Sequence, residues 1–149
     1  MIFVKGKDSS DIKYVMRFDG GASPTNPGPC AGAYVIFNDK GKVFVEGGEF
    51  VENGTNNFGE YTGLILGLKR CNDLGINNIY IEGDSLLVIS QVCKKWKIRN
   101  EILMILCDEV NELLKSFTNV GLKHIYREYN SYADSLSDKT IKMKKSWQN

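Results

Sequence analysis

Short apolar runs, each closed by glycine or by polar turn residues, predict five β-strands along the chain. They lie at residues 13–19, 30–37, 42–50, 77–83 and 119–126. Only loop and turn sequence separates the first three runs, which predicts an antiparallel unit, because antiparallel neighbours need only a short connection. The last two runs alternate with helical patterns, so they are expected to join the same sheet as parallel strands.

Apolar residues at three- and four-residue spacing predict helices with one buried face. These segments are residues 57–73, 85–93, 101–117 and a final one that begins near Ser131 or Tyr132. Gly63 and Gly67 interrupt the first helix at a cost in stability, which close packing against the sheet would justify. Asn56 or Asn57 is expected to cap its start.

Together these elements predict an α/β fold in the order β-β-β-α-β-α-α-β-α. We expect a mixed five-stranded sheet, with three antiparallel strands and two parallel additions, flanked by helices. A chain of 149 residues is long enough for one domain with its own core. We place that domain at residues 13–140, after a loose segment at 1–12 and before a basic tail at 141–149.

Composition is that of an ordinary globular domain, with 42% hydrophobic and 25% charged residues. No apolar run approaches the length of a membrane span, and the start of the chain does not resemble a secretory signal. The four cysteines show no C-x-x-C spacing, so we expect free thiols rather than a zinc site. Free thiols indicate a reducing compartment, cytoplasmic or nuclear. We expect a monomer with no obligate protein partner.

The charge is unevenly distributed, although the net value is only +1. Residues 91–149 hold 11 Lys and Arg against 7 Asp and Glu, whereas residues 1–90 hold 8 against 11. Part of the basic excess surrounds one tryptophan, in the set Lys94, Lys95, Trp96, Lys97 and Arg99. Cations beside an aromatic ring suit a nucleic-acid backbone. A solvated loop explains the same charges, so both interpretations stay open.

Four acidic residues occupy places where strands end or helices begin. Asp19 and Asp84 each follow an apolar strand, Glu60 starts the first helix and Asp134 lies near the start of the last. In open α/β sheets, ligands gather at the carboxyl ends of strands. Each acid alone has a commoner role as a turn former or a cap. Four converging carboxylates repel one another unless cations neutralise them, so their joint occurrence predicts a site for hard metal ions.

The sequence around each acid resembles a motif of type 1 ribonuclease H. The four motifs are Asp19-Gly20-Gly21-Ala22-Ser23-Pro24-Thr25-Asn26-Pro27-Gly28-Pro29, Thr55-Asn56-Asn57-Phe58-Gly59-Glu60-Tyr61, Gly83-Asp84-Ser85 and Arg127-Glu128-Tyr129-Asn130-Ser131-Tyr132-Ala133-Asp134-Ser135-Leu136. They occur in the family's order, and the resemblance spans about residues 13–140. Longer members carry a basic protrusion after the third motif. Only residues 93–99 lie there in this chain, which resembles the short form.

This resemblance implies an endonuclease that cleaves the RNA strand of RNA–DNA hybrids. It implies that Asp19, Glu60, Asp84 and Asp134 are the catalytic carboxylates, and that they hold two Mg²⁺ ions together with the backbone of Gly20. Two such ions can clamp an in-line displacement at phosphorus, leaving 5′-phosphate and 3′-hydroxyl ends. Mn²⁺ is expected to substitute, because it also prefers oxygen ligands.

Eight further residues are candidates for substrate binding, since hybrid recognition requires 2′-hydroxyls on one strand and DNA on the other. They are Asn26, Asn57 and Ser85 as hydroxyl readers, Thr55 and Asn56 as DNA-phosphate contacts, Arg127 and Asn130 near the scissile bond, and Trp96 in a DNA channel. A core position explains Trp96 equally well. His124 falls at the end of a predicted strand, where a partly buried structural role fits better than the proton shuttle of longer family members.

Two other functions remain open on the sequence. One is a non-catalytic module of the same fold that binds hybrid or duplex RNA for a partner. An intact set of four acids disfavours this module, because negative charge facing phosphate does not help binding. The other is a nuclease of the wider superfamily that acts on DNA or as an exonuclease.

Overall fold

A seven-stranded mixed sheet organises the chain in a computed structural model, which describes residues 2–6 and 10–149. Within those ranges the strands are β1 Ile2–Lys5, β2 Tyr14–Ala22, β3 Gly28–Phe37, β4 Val43–Gly54, β5 Asn78–Gly83, β6 Asn119–His124 and β7 Trp147–Gln148. The helices are α1 Asn56–Leu74, α2 Leu86–Val92, α3 Glu101–Leu114 and α4 Ser131–Met143, with a short 3₁₀ turn at Arg127–Tyr129. The spatial order of the strands is β1-β6-β5-β2-β3-β4-β7.

The predicted α/β fold with a mixed sheet is confirmed, but the predicted number of strands is wrong. The two extra strands lie at the edges of the sheet. β1 pairs antiparallel with β6 and lies in the segment that was expected to be loose, while β7 pairs antiparallel with β4 and lies in the basic tail. Strands of four and two residues are too short to show a period. They form because the edges of β6 and β4 offer unpaired backbone groups.

The central strand β2 places the first acidic residue beside the third. β2 pairs antiparallel with β3 on one side and parallel with β5 on the other. In the parallel ladder Phe18 pairs with Gly83, so the next residues along the two strands are Asp19 and Asp84. Because the strands are neighbours and run the same way, both aspartates emerge at the same edge of the sheet, as the sequence predicts.

Helix α1 begins one residue earlier than the sequence predicts, and its cap is a different residue. The Thr55 hydroxyl oxygen accepts a hydrogen bond from the Phe58 backbone N–H at 3.1 Å. The prediction that Asn56 or Asn57 caps the helix is therefore wrong. The helix ends at Gly75, whose φ of 74° is in the left-handed region that glycine adopts without strain.

Close contact between α1 and the sheet explains the glycines inside the helix, as the sequence predicts. A Cβ atom on Gly63 would lie 2.6 Å from the backbone oxygen of Asp19. A Cβ atom on Gly20 would lie 2.1 Å from the carbonyl carbon of Gly59. Backbone therefore meets backbone without side chains between them, and this contact brings Glu60 next to the end of β2.

Successive side chains of β3 point to opposite faces of the sheet, and each face is covered by a helix. Tyr34 and Ile36 face the main core, which the apolar side of α1 completes. Ala33 and Val35 face the other way and pack against Ala133 and Leu136 of α4. The start of α4 therefore lies on the opposite face of the sheet from α1. Within residues 2–6 and 10–149, no helix combines the length and apolar character needed to cross a membrane.

Replacing Gly63 by Ala should destabilise the fold by about 1–3 kcal/mol, the usual cost of overpacking. Alanine is the better helix former, but its Cβ would meet the backbone of the sheet. Chemical denaturation measures the change. The exposed Asp73→Ala change in the last turn of α1 is the control and should stay within about 0.5 kcal/mol. Unchanged stability of Gly63→Ala would mean that the helix has room to move away from the sheet.

Candidate active site

Three carboxylates from separate elements meet at the edge of the sheet. Asp19 lies in β2, Asp84 directly follows β5, and Glu60 lies in the second turn of α1. One carboxylate oxygen from each residue lies within 4.8 Å of the other two. Asp19 and Glu60 are only 6% and 8% exposed, whereas Asp84 is half-buried. The three residues, called the carboxylate trio below, form the floor of a cleft.

Asp134 lines the same cleft from the first turn of α4 but is not part of the compact trio. It is close enough to Asp19 that their hydrogen bond and its charge both raise the pKa of Asp19. Asp138, one turn later, also lines the cleft and is exposed. Both acids of α4 therefore face the cleft, and Asp134 is the one that interacts with Asp19.

Burial and mutual repulsion raise the pKa values of the two buried acids, Asp19 and Glu60. Burial is the main cause that raises the pKa of Asp19 to about 7, and the charges of Asp84 and Asp134 add to it. Burial likewise raises the pKa of Glu60 well above its usual value, and Asp19 adds to the shift. A hydrogen bond between these two carboxyl groups lowers the pKa of Asp19 and raises that of Glu60, so the two acids share a proton as a pair.

The donor set of the trio fits a divalent metal ion. The Glu60 Oε2 atom is buried and has no hydrogen-bond partner within the described residues. Buried polar atoms almost always have a hydrogen-bond partner. A bound cation would be a suitable partner for this oxygen. The carboxylates offer oxygen ligands only, which is the preference of hard divalent cations. A bound cation would also remove the repulsion that raises these pKa values.

Most of the predicted substrate-binding residues line two clefts that share a wall. The carboxylate cleft is lined by Asn56, Asn57, Ser85 and Arg127, among others. The second cleft is lined by Asn26, Thr55, Asn56, Asn57 and Asn100, among others. Asn56 and Asn57 belong to both and form the wall between them. The structure therefore places six of the eight candidates on one continuous surface.

Hydrogen bonds fix the glycine- and proline-rich loop against the start of α1. The Asn26 Oδ1 atom accepts from the Asn56 backbone N–H at 3.0 Å, and the Asn56 Oδ1 atom accepts from the Ala22 N–H at 2.8 Å. On the other side of the trio, the Ser85 hydroxyl oxygen caps α2 by accepting from the Val88 N–H at 3.2 Å. Both walls of the carboxylate cleft are therefore held in place by local side-chain bonds.

Asn130 is completely buried, and its predicted contact with the substrate stays a prediction. Its Nδ2 group lies 3.0 Å from the Phe18 carbonyl oxygen and 3.2 Å from Asp84 Oδ2. The Asn130 side chain therefore links the end of β2 to the Asp84 carboxylate through these two hydrogen bonds. A sequence pattern cannot separate these roles, because a buried polar residue and an exposed one look alike in a motif.

Two other side chains singled out in the sequence lie outside the trio. His124 ends β6 and is half-buried, with Nε2 3.2 Å from the backbone oxygen of Asp84 and its ring edge-on to Tyr126. This agrees with the structural role expected for the histidine. Trp96 is 48% exposed, so its alternative explanation as a core residue is wrong. Its place in a DNA channel stays a prediction.

Sequence reasoning missed two polar residues at the clefts. Asn100 caps α3, its Oδ1 accepting from the Leu103 N–H at 3.1 Å, and it lines the second cleft beside Thr55. Its signal was a capping residue just before a predicted helix. Ser137 is 3% exposed, and its Oγ lies 3.2 Å from Asp19 Oδ2. Its only signal was a position three residues after Asp134, on the same side of the helix.

Comparison with known proteins gives the family. The model of a family described as reverse transcriptase-like matches residues 17–140. The ribonuclease HI of Halobacterium salinarum is 32% identical over 149 residues, which cover 94% of this chain and 75% of the relative. A bifunctional protein of Mycobacterium tuberculosis is 35% identical over 128 residues, covering 85% of this chain and 35% of the relative. The chain therefore spans about a third of that longer protein.

Solved structures agree with the sequence matches. The crystal structure of RNase H1 from Halobacterium salinarum has a TM-score of 0.83 at 34% identity, covering 87% of this chain and 98% of the other. That of LC11-RNase H1 in complex with an RNA/DNA hybrid has a TM-score of 0.82 at 28% identity, covering 88% and 98%. The fold and the acidic site thus define a ribonuclease H-like protein. Within that class, the chain belongs to the ribonuclease HI family, also called type 1 ribonuclease H.

Removing the Asp19 charge should stabilise the metal-free protein in a pH-dependent way. The pKa of Asp19 rises from 3.8 to about 7 on folding, so between these values the folded state binds more protons than the unfolded state. Stability from this group is full at low pH and is lost as the pH rises through about 7. In EDTA, Asp19→Asn should therefore gain thermal stability over the parent as the pH rises, by on the order of 5 °C at pH 8.

The control for this experiment is Asp138→Asn, which removes an exposed carboxylate from the same cleft. Its melting temperature should track that of the parent at every pH. Addition of Mg²⁺ should raise the melting temperature of the parent and should not raise that of Asp19→Asn. A constant difference between Asp19→Asn and the parent from pH 4 to 8 would contradict the buried, proton-sharing trio.

Proposed function

We propose that the chain is an endoribonuclease that cleaves the RNA strand of RNA–DNA hybrids by metal-assisted hydrolysis. The carboxylate trio carries this proposal, because three acids from distant parts of the chain converge within 4.8 Å and one buried oxygen lacks a partner. Such a cluster opposes phosphate binding unless cations fill it. Membership of the ribonuclease HI family and the hybrid complex of LC11-RNase H1 support the choice of substrate.

Asp19, Glu60 and Asp84 would hold the cations, with Asp134 and the backbone of Gly20 at the edge of the site. A pair of Mg²⁺ or Mn²⁺ ions held by these residues would supply activation of the attacking water and neutralisation of charge on the leaving 3′ oxygen, so the products would carry 5′-phosphate and 3′-hydroxyl ends. Asp19 would suit a shared ligand because its carboxylate lies beside those of Glu60 and Asp84, in the cleft that Asp134 also lines.

The chain's own groups prepare these carboxylates. A backbone hydrogen bond from Gly20 favours the ionised form of Glu60, and Asn130 orients Asp84 through a 3.2 Å contact. Arg127 is an exposed cation on the wall of the same cleft, where it is placed to contact phosphate near the scissile bond. Asn57 and Ser85 line the same cleft and are proposed to contact the 2′-hydroxyls of the RNA strand.

The second cleft suits the DNA strand. α1 and α3 both begin there, at the capping residues Thr55 and Asn100, and none of its described lining residues is acidic. The N-termini of helices favour anions through their free N–H groups and their dipoles. A phosphate of the DNA strand can therefore bind there without a metal ion. Asn56 and Asn57, on the shared wall, separate the strand that is cut from the strand that is held.

The protein is also proposed to work as a monomer in a reducing compartment, cytoplasmic or nuclear. All four cysteines are free, and three of them, Cys30, Cys71 and Cys107, are buried. Burial raises the pKa of Cys71 to about 12, which keeps this thiol protonated and unreactive. These thiols are therefore packing residues rather than sites of disulfide formation.

Replacing Asp84 by Asn should reduce hybrid cleavage by at least ~100-fold, because a metal ligand contributes more than the groups that hold it. The fold should remain intact, because the change relieves repulsion in the metal-free protein. Cleavage of a hybrid with labelled RNA in Mg²⁺, with mapping of the product ends, measures the effect. Asp138→Asn, the control, should cleave near the parent rate. Near-normal turnover by Asp84→Asn would show that the metal site is wrongly assigned.

Adding a negative charge to the second cleft should weaken substrate binding without changing chemistry. Asn100→Asp keeps the helix cap but replaces the side-chain amide N–H donor with a negative charge that repels a phosphate. Loss of a hydrogen bond between that donor and a charged phosphate costs about 1.5–3 kcal/mol. KM for the hybrid should therefore rise at least ~tenfold, with kcat and stability near the parent values. Asn38→Asp is the control, since Asn38 caps the distant β3–β4 turn through its Oδ1.

The same assay with other duplexes tests the choice of substrate. Double-stranded RNA and all-DNA duplex should be cut much more slowly than the hybrid, since only the hybrid matches both clefts. Tight hybrid binding without metal-dependent cleavage would favour the binding module instead. Preferential cutting of the all-DNA duplex would favour a DNA nuclease of the wider superfamily.

A further inference from the structure

We propose that Ser137 is a positioning residue that holds Asp19 in the orientation needed to bind cations. This inference rests on the proposed function of the carboxylate trio. Ser137 lies in the second turn of α4, is 3% exposed and belongs to the wall of the carboxylate cleft. Its Oγ lies 3.2 Å from Asp19 Oδ2 and 3.0 Å from the backbone oxygen of Asp134.

The single proton of the hydroxyl group can serve only one of these two acceptors at a time. Helix geometry already pairs the backbone oxygen of Asp134 with the amide of Asp138. Asp19 Oδ2 belongs to a buried carboxyl group. When this group is ionised, it accepts a hydrogen bond about twice as strong as one to a neutral acceptor. The hydrogen bond to Asp19 is therefore the favoured one whenever Asp19 carries its charge.

This bond acts on the orientation of the ligand. Asp19 is the residue whose carboxylate interacts with those of Glu60, Asp84 and Asp134. Anchoring its Oδ2 fixes the plane of the carboxylate, and with it the direction of the lone pairs that remain for a cation. Groups that orient metal ligands in this way typically change affinity by about 10–100-fold.

α4 makes the same kind of contact with the other aspartate of the sheet. Asn130, just before the helix, donates to Asp84 Oδ2. The buried contacts of Ala133 and Leu136 with β3 hold this part of the helix against the sheet. α4 and the residue just before it therefore provide one donor for each of the two strand-end aspartates, in addition to the helix's own acid, Asp134.

Ser135 provides a matched control on the same helix. Its Oγ lies 2.6 Å from the Tyr132 backbone oxygen, three residues back, as Ser137 Oγ lies near Asp134 O. Ser135 is exposed and lies outside the carboxylate cleft. Ser135→Ala and Ser137→Ala therefore each remove one hydroxyl that lies within hydrogen-bond distance of the backbone oxygen three residues back, and only the Ser137 hydroxyl also reaches a carboxylate.

The test is a titration of substrate-free protein with Mn²⁺, followed by calorimetry or by the paramagnetic signal of the free ion. Ser137→Ala should bind Mn²⁺ about tenfold more weakly than the parent, and Ser135→Ala should bind it equally well. The Mg²⁺ concentration for half-maximal cleavage should rise by a similar factor in Ser137→Ala alone. In EDTA, the two variants should have similar melting temperatures.

Equal Mn²⁺ affinities of the two alanine variants would overturn the inference. So would a loss of thermal stability confined to Ser137→Ala with unchanged affinity, because that is the result of a purely structural serine. The parent protein separates this failure from a failure of the proposed function. A parent that binds no Mn²⁺ and cleaves no hybrid would refute the proposed function, whereas a parent that does both leaves only the role of Ser137 in question.

Discussion

Repulsion among Asp19, Glu60 and Asp84 is the constraint on which the rest of the site depends. Three carboxylates within 4.8 Å, two of them buried, oppose folding unless protons or cations neutralise them. Without a cation, the shared proton and the raised pKa values serve this purpose. A divalent ion that replaces the proton also relieves this repulsion, and the relief contributes to the free energy of metal binding. Metal affinity therefore depends on pH.

The fold resists this repulsion by fixing each acid through a different element. Strand pairing holds Asp19 beside Asp84, and glycine contacts at Gly20 hold Glu60 against them. α4 approaches from the other face with Asp134 and with buried donors. The second cleft is free of described acids and shares a wall with the carboxylate cleft, so under the proposed function it would take phosphates of the uncut strand without a cation. This arrangement suits a duplex in which only one strand is cut.

The sequence alone determined the local features. Apolar runs closed by turn residues predicted the five longer strands, and helical spacing of apolar residues predicted the four helices, in their correct order, because each element is long enough to carry such a pattern. The motifs predicted the acids of the trio, since each acid stands in its own short context. The tolerance of Gly63 inside α1 was also predicted, because its cost to the helix needed a packing explanation.

Features that depend on contacts between distant residues were decided only by the tertiary structure. β1 and β7 exist because open strand edges accept them, not because their few residues favour a strand. Asn130 is buried and orients Asp84, although its motif suggested a contact with substrate. Ser137 meets Asp19 across 118 residues of chain. Such contacts follow from how the sheet and α4 pack, and packing leaves no periodic signal in the sequence.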